Sequence, residues 1–284
     1  MITTTSELFN VSGKRGIITG AGGDLCGTMA EHLAAFGAEV ALLDLDLQKA
    51  ERRASGIREA GGRATAYQCD VLDAETLREV AEAIRSSWGR SDFLINGAGG
   101  NHPSATTSRP FVEYEDLSDP EEVDFSRIPE ESFRKVFDLN YMGTILPTQV
   151  FGSEIARAGK GSIVNISSLN AITPLTKIPA YATGKAAVAS FTKWLAVHYA
   201  HLGVRVNALA PGFFMTEQLR FLHTDQATGE PTERSRQIMA QTPFGRYGEP
   251  AELVGTVVWL LSEASSFVTG ALIPVDGGFA AYSI

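Results

Sequence analysis

Cysteine is almost missing from the 284 residues, with only Cys26 and Cys69 present. That scarcity excludes a disulfide scaffold and a cysteine-rich zinc site, and it fits a reducing, cytoplasmic setting. No metal site is expected. The sequence also lacks any apolar run near the ~20 residues of a membrane span, and Met1 to Gly13 lacks the apolar stretch of a secretory signal. The expectation is a protein neither exported nor inserted in a membrane. Positive charge is short as well: 24 Lys and Arg against 33 Asp and Glu leave a formal net charge of -9. With no basic patch to meet a phosphate backbone, nucleic acid is excluded as a partner and a small molecule is expected. What remains is an ordinary globular composition, 44% hydrophobic, 20% charged and 9% aromatic, which excludes disorder, collagen and coiled coil. At ~150 residues per domain the length approaches two domains, although α/β folds reach it as one.

From Arg15 onward short β-branched or apolar runs alternate with longer segments of helical period, the pattern of βαβ units and a parallel sheet. Strands are expected over Gly16 to Thr19, Val40 to Leu43, Ala64 to Gln68, Phe93 to Asn96, Ser162 to Ser167, Val204 to Leu209 and Leu272 to Val275. Helices are expected over Leu25 to Phe36, Leu47 to Ala60, Ala74 to Trp88, Glu130 to Ile155, Ala180 to Leu202 and Ala251 to Leu261. Leu77, Val80, Ala81 and Ile84 follow the i, i+3, i+4, i+7 spacing of a core-facing stripe. No linker or repeat divides the chain, so one α/β domain over 1–284 is expected.

Two connections, about 100–129 and 212–241, are too long for simple turns, and structureless loops beyond ~15 residues are often functional. Both leave strand carboxyl ends, where an open parallel sheet forms its ligand crevice. They are read as substrate-enclosing loops, with decorative surface insertion as the alternative. The first is acidic, carrying Glu113, Glu115, Asp116, Asp119, Glu121, Glu122 and Asp124 against Arg109 and Arg127, and its middle reads as a solvated surface.

The first strand runs into Thr19-Gly20-Ala21-Gly22-Gly23-Asp24-Leu25-Cys26-Gly27 and then a helix. Glycines at such a turn let the backbone approach a pyrophosphate, whose charge the helix N-terminus favours. Gly20, Gly22, Asp24 and Leu25 are the candidates there. Asp44 ends the second strand roughly 20 residues on, where a carboxylate accepts bonds from a ribose diol and repels a 2'-phosphate. Neither Gly23 nor Leu45 offers a guanidinium for that phosphate, so NAD is expected over NADP. Asp44 as a helix N-cap is a compatible alternative. Asp70, with Val71, follows the third strand and could accept from an adenine amino group or simply cap the next helix. Asn96-Gly97-Ala98-Gly99 follows the fourth strand, where small residues permit close approach to a cofactor or form a plain tight turn.

Tyr181 and Lys185 are spaced i, i+4 at a helix start and so share a face. An ammonium there can stabilise phenolate and hold the phenol down from ~10, making tyrosine a usable acid for a carbonyl receiving hydride. A surface pair is the alternative. Ser167 and Ser168 close the preceding strand, and the Ser168 hydroxyl could share the substrate oxygen with the phenol or merely satisfy a turn.

In family order these residues resemble the short-chain dehydrogenase/reductase family: Thr19-Gly20, Asp70, Asn96-Gly97-Ala98-Gly99, Asn140, Ser168, Tyr181 with Lys185, Pro211-Gly212 with Thr216, and Val275-Asp276-Gly277-Gly278. The resemblance implies a Rossmann-type doubly wound, seven-stranded parallel sheet with helices on both faces, and NAD(P)-linked ketone or alcohol chemistry. It implies Tyr181 as general acid/base, Lys185 lowering its pKa and holding the nicotinamide ribose, and Ser168 orienting the substrate oxygen. Asn140 would anchor a relay water, and Thr216, with Pro211 and Gly212, would meet the cofactor near the nicotinamide. It also implies a homotetramer in which helices 130–155 and 180–202 pack across an interface. The glycine turn departs from the family's Thr-Gly-x-x-x-Gly-x-Gly, with Asp24 and Cys26 at the last two glycine positions. A carboxylate there would repel pyrophosphate unless it faced solvent or capped the helix. Cys26 reads as a small packed residue.

A finer resemblance, to the D-mannonate oxidoreductase (fructuronate reductase) branch, rests on four stretches. These are Gly99-Gly100-Asn101-His102-Pro103 with Ala105-Thr106-Thr107, Leu146-Pro147-Thr148-Gln149, Pro211-Gly212-Phe213-Phe214 with Thr216-Glu217-Gln218, and Gly277-Gly278-Phe279. It implies a six-carbon sugar acid as substrate, for which Asn101, His102, Ser168, Lys177, Gln218 and Arg220 are the candidate binding residues. His102 reads equally as a solvated loop residue. A gluconate 5-dehydrogenase, another polyol reductase or an oxoacyl reductase remains as an alternative, the last kept open by Phe213, Phe214 and Phe221. A non-catalytic dinucleotide-binding protein is the alternative of another class, against which the Ser168, Tyr181, Lys185 set argues.

Overall fold

The computed structural model describes residues 4–225 and 228–283, with the side chains of Gln218 and Leu222 set aside. After a short helix α1 (Thr5–Leu8), seven strands alternate with helices. The order runs β1 (Arg15–Thr19), α2 (Asp24–Ala35), β2 (Glu39–Asp44), α3 (Leu47–Glu59), β3 (Arg63–Gln68), α4 (Ala74–Trp88) and β4 (Phe93–Asn96). It continues through α5 (Glu130–Pro147), α6 (Ser153–Arg157), β5 (Gly161–Ile166), α7 (Pro179–His198), β6 (Val204–Pro211), α8 (Glu217–His223), α9 (Glu233–Gln241), α10 (Val254–Leu261) and β7 (Leu272–Val275). The strands form one parallel sheet in the order β3-β2-β1-β4-β5-β6-β7, the doubly wound Rossmann-type arrangement expected.

Period-2 alternation sorts the strand side chains onto two cores. Ile18, Val40, Leu42, Phe93 and Ile95 face α2, α3 and α10, while Ile17, Ala41, Leu43, Leu94 and Ile163 face α4, α6 and α7. Burial on both faces explains why the strands read as near-continuous apolar runs. The stripe on α4, Leu77, Val80, Ala81 and Ile84, is fully inside, and Asp73 caps the helix through the Glu75 N–H at 2.9 Å. Strands are added outward on one side of β1 and then on the other from β4, so a crevice opens at the carboxyl ends of these two strands. There the two glycine turns touch: Gly20 has φ +66°, and a Cβ on it would sit 2.9 Å from the Ala98 backbone.

Three expectations need correction. The helix over 130–155 is broken, because Pro147 lacks an N–H and a π-helical stretch, Thr148–Gly152, intervenes before α6. The 212–241 segment is not a loop, since it holds α8 and α9. The acidic middle of 100–129 is cross-linked rather than simply solvated: Arg109 pairs with Asp116 at 3.3 Å and Glu122 at 2.8 Å, and Asp116 is buried. Among the described residues no helix is long and apolar enough to cross a membrane.

Candidate active site

The crevice at the switch point is a cleft of about 950 Å³. Its floor is the glycine turn between β1 and α2. Thr19, at the end of β1, accepts the Gly97 and Ala98 N–H groups on its Oγ1 at 3.0 and 3.2 Å, locking the β1 and β4 turns together. Cys26 takes a position the family gives to glycine. A Cβ on Gly97 would lie 2.0 Å from the Cys26 sulfur, so the thiol occupies the space that glycine at 97 leaves. Burial pushes that thiol up to about 12, which makes it a packing group, as expected.

Asp44 stands at the rim. Its two carboxylate oxygens accept the Gly22 and Asp46 N–H groups, each at 2.9 Å, and the N-cap of α3 is Asp46 rather than Asp44. Two backbone donors hold the carboxylate oriented while leaving lone pairs for a diol. That cradle, with Gly22 beneath it and the bare backbone of Gly97 and Ala98 opposite, fits a dinucleotide. Asp70, Val71, Leu25 and Thr216 line the same cleft, and Asp70 turns back on the Leu72 N–H at 2.9 Å instead of capping α4.

Four expected cofactor residues stand behind the exposed lining of the cleft. Asn96 is buried beneath the turn, its amide donating to Thr148 and Asn165 at 2.9 and 2.8 Å. Pro211 and Gly212 close β6, where a Cβ on Gly212 would meet Asp276 at 2.7 Å. Lys185 is 3% exposed and sits behind the wall, its ammonium donating to the Ile166 carbonyl at 2.8 Å. Conversely, Lys49, Arg52 and Arg53 of α3 line the rim, where no cation was anticipated. Their spacing on one helix face was the available signal.

The catalytic set is assembled by β5 and α7. Ser168 follows β5; its Oγ accepts the Asn170 N–H at 3.2 Å, and its side chain is near enough to Tyr181 to favour the phenolate. Ser167 Oγ donates to the Lys185 carbonyl at 2.9 Å, tying α7 to the strand end. Tyr181 and Lys185 share a face of α7, the ammonium 5.7 Å from the phenol ring centroid. Here the electrostatic expectation is reversed. Burial raises the Tyr181 phenol above its ordinary value, against the smaller lowering effect of Ser168, and pushes the Lys185 ammonium down to about 8. Desolvation is the largest influence on both groups. Asn140 is completely buried and uses its side chain on backbone, accepting from the Gly100 N–H at 3.1 Å and donating to the Gly100 and Val136 carbonyls at 2.7 and 2.8 Å. It fixes the Gly99–Gly100 segment, where a Cβ on Gly99 would lie 3.0 Å from the Lys185 Nζ.

The substrate candidates are less gathered. Asn101 donates to Thr106 at 3.0 Å, and His102 caps a short 3-10 turn through Ser104, so both are engaged within their own loop. Lys177 has φ +79° and lines a separate cavity of about 440 Å³ between the first insertion and α7. Arg220 is exposed on α8, one turn beyond Glu217, which does line the cleft. The side chain of Gln218 lies outside the described residues.

The family profile described as enoyl-(acyl carrier protein) reductase matches residues 22–280. An uncharacterized oxidoreductase, UxuB, of Bacillus subtilis is 46% identical over 276 residues, which is 96% of this chain and 97% of its own. Gluconate 5-dehydrogenase of Gluconobacter oxydans is 34% identical over 278 residues, 96% of each chain. Among solved structures, a candidate D-mannonate oxidoreductase from Haemophilus influenza with bound NAD is 46% identical, with a TM-score of 0.91 over 96% of this chain and 97% of that one. Likeness along nearly the whole length, joined to a Ser–Tyr–Lys set beside a dinucleotide cradle, makes this chain an NAD(P)-dependent oxidoreductase of the short-chain dehydrogenase/reductase family.

Proposed function

We propose that the protein interconverts a sugar-acid secondary alcohol and its ketone with NAD, the pair being D-mannonate and D-fructuronate. The carrying observation is the Ser168, Tyr181 and Lys185 set at the cleft: Tyr181 lines it, the Ser168 side chain is near enough to act on the phenol, and the Lys185 ammonium lies 5.7 Å from the phenol ring centroid. A carbonyl oxygen placed between them receives a hydrogen bond from the serine and a proton from the phenol. The raised phenol favours this direction, because tyrosine stays protonated at neutral pH until the oxygen becomes basic. The dinucleotide, when bound, supplies or accepts the hydride. Lys185, most of whose copies are charged at pH 7, stabilises the phenolate left behind. Asp44 favours NAD by accepting ribose hydroxyls and repelling a 2'-phosphate. Similarity to the candidate D-mannonate oxidoreductase supports the substrate. Arg220, on the helix that begins at the cleft, and Lys177, in the neighbouring cavity beside α7, are the cations offered for its carboxylate.

The experiment follows NADH oxidation with D-fructuronate, 5-ketogluconate, a neutral ketose and a short oxoacyl thioester in parallel. D-fructuronate should give the highest kcat/KM, and the neutral ketose should be poor, because sites built from hydrogen-bonding groups discriminate by factors up to ~10⁴. A best rate with 5-ketogluconate keeps the reaction and moves the substrate, a second reading favoured by the Gluconobacter relative. A best rate with the thioester refutes the sugar-acid reading. We further propose that 1–284 acts as one domain in a homotetramer. The aromatic ladder Phe137, Tyr141, Phe191 and Trp194 crosses from α5 to α7, and Trp194 and Val197 are 60% and 77% exposed, an apolar face suited to a second copy.

A further inference from the structure

We propose that Asp24 is a positioning residue that latches the substrate-enclosing segment onto the dinucleotide turn. It stands where the family pattern has glycine, as the first residue of α2. Its Oδ2 accepts the backbone N–H of Glu217 at 2.7 Å, 193 positions away in sequence. Its Oδ1 accepts Arg53 Nη2 at 3.1 Å, and the other arm of that guanidinium reaches Glu31 at 2.8 Å. Glu217 is the first residue of α8, and the first N–H groups of a helix have no partner within it. Thr216 caps the Leu219 N–H from within the segment, at 3.2 Å. Asp24 caps Glu217 from another element. Glycine at 24 has no atom that could do so.

The arrangement also removes the expected conflict with a pyrophosphate. A bare carboxylate on the turn would repel it, but Arg53 neutralises the charge locally. Arg53 reaches this place along the surface of α2 at Gly27, where a Cβ would lie 2.6 Å from the guanidinium Nε. Asp24 and Glu217 both line the cleft, so their bond spans its rim and holds the start of α8, next to Thr216, over the dinucleotide floor. Releasing it frees the 212–241 segment at its cleft end while leaving Ser168, Tyr181 and Lys185 in place. The effect should fall on binding of the second substrate more than on the chemical step. The inference needs only the family chemistry, whichever acid is reduced.

The test uses full-length Asp24→Ala, Asp24→Asn and Glu217→Pro. The first deletes the acceptor, the second keeps an amide oxygen in its place, and the third deletes the N–H at a helix position that tolerates proline. Backbone hydrogen exchange over 216–223, without cofactor, should quicken about tenfold or more in Asp24→Ala, as for a lost charge-assisted hydrogen bond. It should stay near wild type in Asp24→Asn. KM for the keto acid should rise about tenfold in Asp24→Ala and Glu217→Pro, with kcat within about twofold, and NADH affinity by fluorescence should not weaken. Unchanged exchange and KM in Asp24→Ala overturn the latch. So does a loss confined to NADH affinity, which would make Asp24 a cofactor ligand. If Asp24→Ala does not fold, Glu217→Pro decides the matter without touching the turn. Exchange and NADH binding need no keto acid, so failure of the latch is distinguishable from failure of the substrate assignment.

Discussion

Replacing Lys185 by methionine should yield a protein that is more stable at neutral pH and inactive. The ammonium is 3% exposed, and its one hydrogen bond runs to the Ile166 carbonyl at 2.8 Å. Burial lowers it from 10.5 to about 8. Between those values the unfolded chain binds the proton more tightly than the folded one, so stability rises with pH through this window and the full cost is present below about 8. A fall of that size corresponds to about 3 kcal/mol. Methionine keeps an apolar stem and carries no charge, and losing the bond to Ile166 returns about 1 kcal/mol. The net gain at pH 7 should be about 2 kcal/mol, shrinking to nothing near pH 10. Urea unfolding of both proteins at pH 7 and pH 9.5 measures it, with NADH oxidation showing the loss of turnover. A methionine variant that is less stable at pH 7, or a stability gap that ignores pH, would refute the reasoning. The wild-type rate carries the same signature. The charged fraction falls from about 90% at pH 7 to about 10% at pH 9, so kcat/KM for reduction should drop about ninefold.

Tyr181→Phe keeps the ring and removes the proton, so turnover should fall ~10²-fold or more while fluorescence titration shows NADH still bound. Asp44→Ala should weaken NADH use and relieve the repulsion of NADPH, read as the ratio of the two kcat/KM values; wild type faster with NADPH at equal concentration contradicts the assignment. Gly97→Ala would drive a methyl into the Cys26 sulfur, 2.0 Å from its ideal position, and should cost about 1–3 kcal/mol in urea unfolding. Adding Cys26→Gly should recover part of that loss, because the Thr19 carbonyl still lies 2.8 Å from the added methyl, and an additive double variant would show that positions 26 and 97 do not share the space.

The fold was legible because each strand is buried on both faces and each helix on one, so composition and period report directly on layers. Phe93 to Asn96 and Leu272 to Val275 end where the apolar runs end. The errors came from backbone chemistry that overrides period. Pro147 sits inside a helical pattern, and only the missing N–H reveals the π-helical interruption after it. In 100–129 the acidic residues outnumber the basic ones, but Arg109 serves Asp116 and Glu122 together, a long-range pairing that a count of charges does not contain.

In the site, Tyr181 and Lys185 were legible because helix geometry alone makes i and i+4 neighbours. What burial does to them was not, since desolvation depends on everything packed around α7. Cofactor preference shows the same limit. Asp44 was readable from its place after β2, yet Lys49, Arg52 and Arg53 come to the same rim on the first turns of α3. Arg53 is committed to Asp24 and Glu31. Lys49 and Arg52 remain on the lining of the cleft that holds Asp44 and would attract the 2'-phosphate that the carboxylate repels. The proposed preference for NAD is then a difference between opposing charges within one cleft, and removing the carboxylate alone should tip it toward NADPH without introducing any new cation.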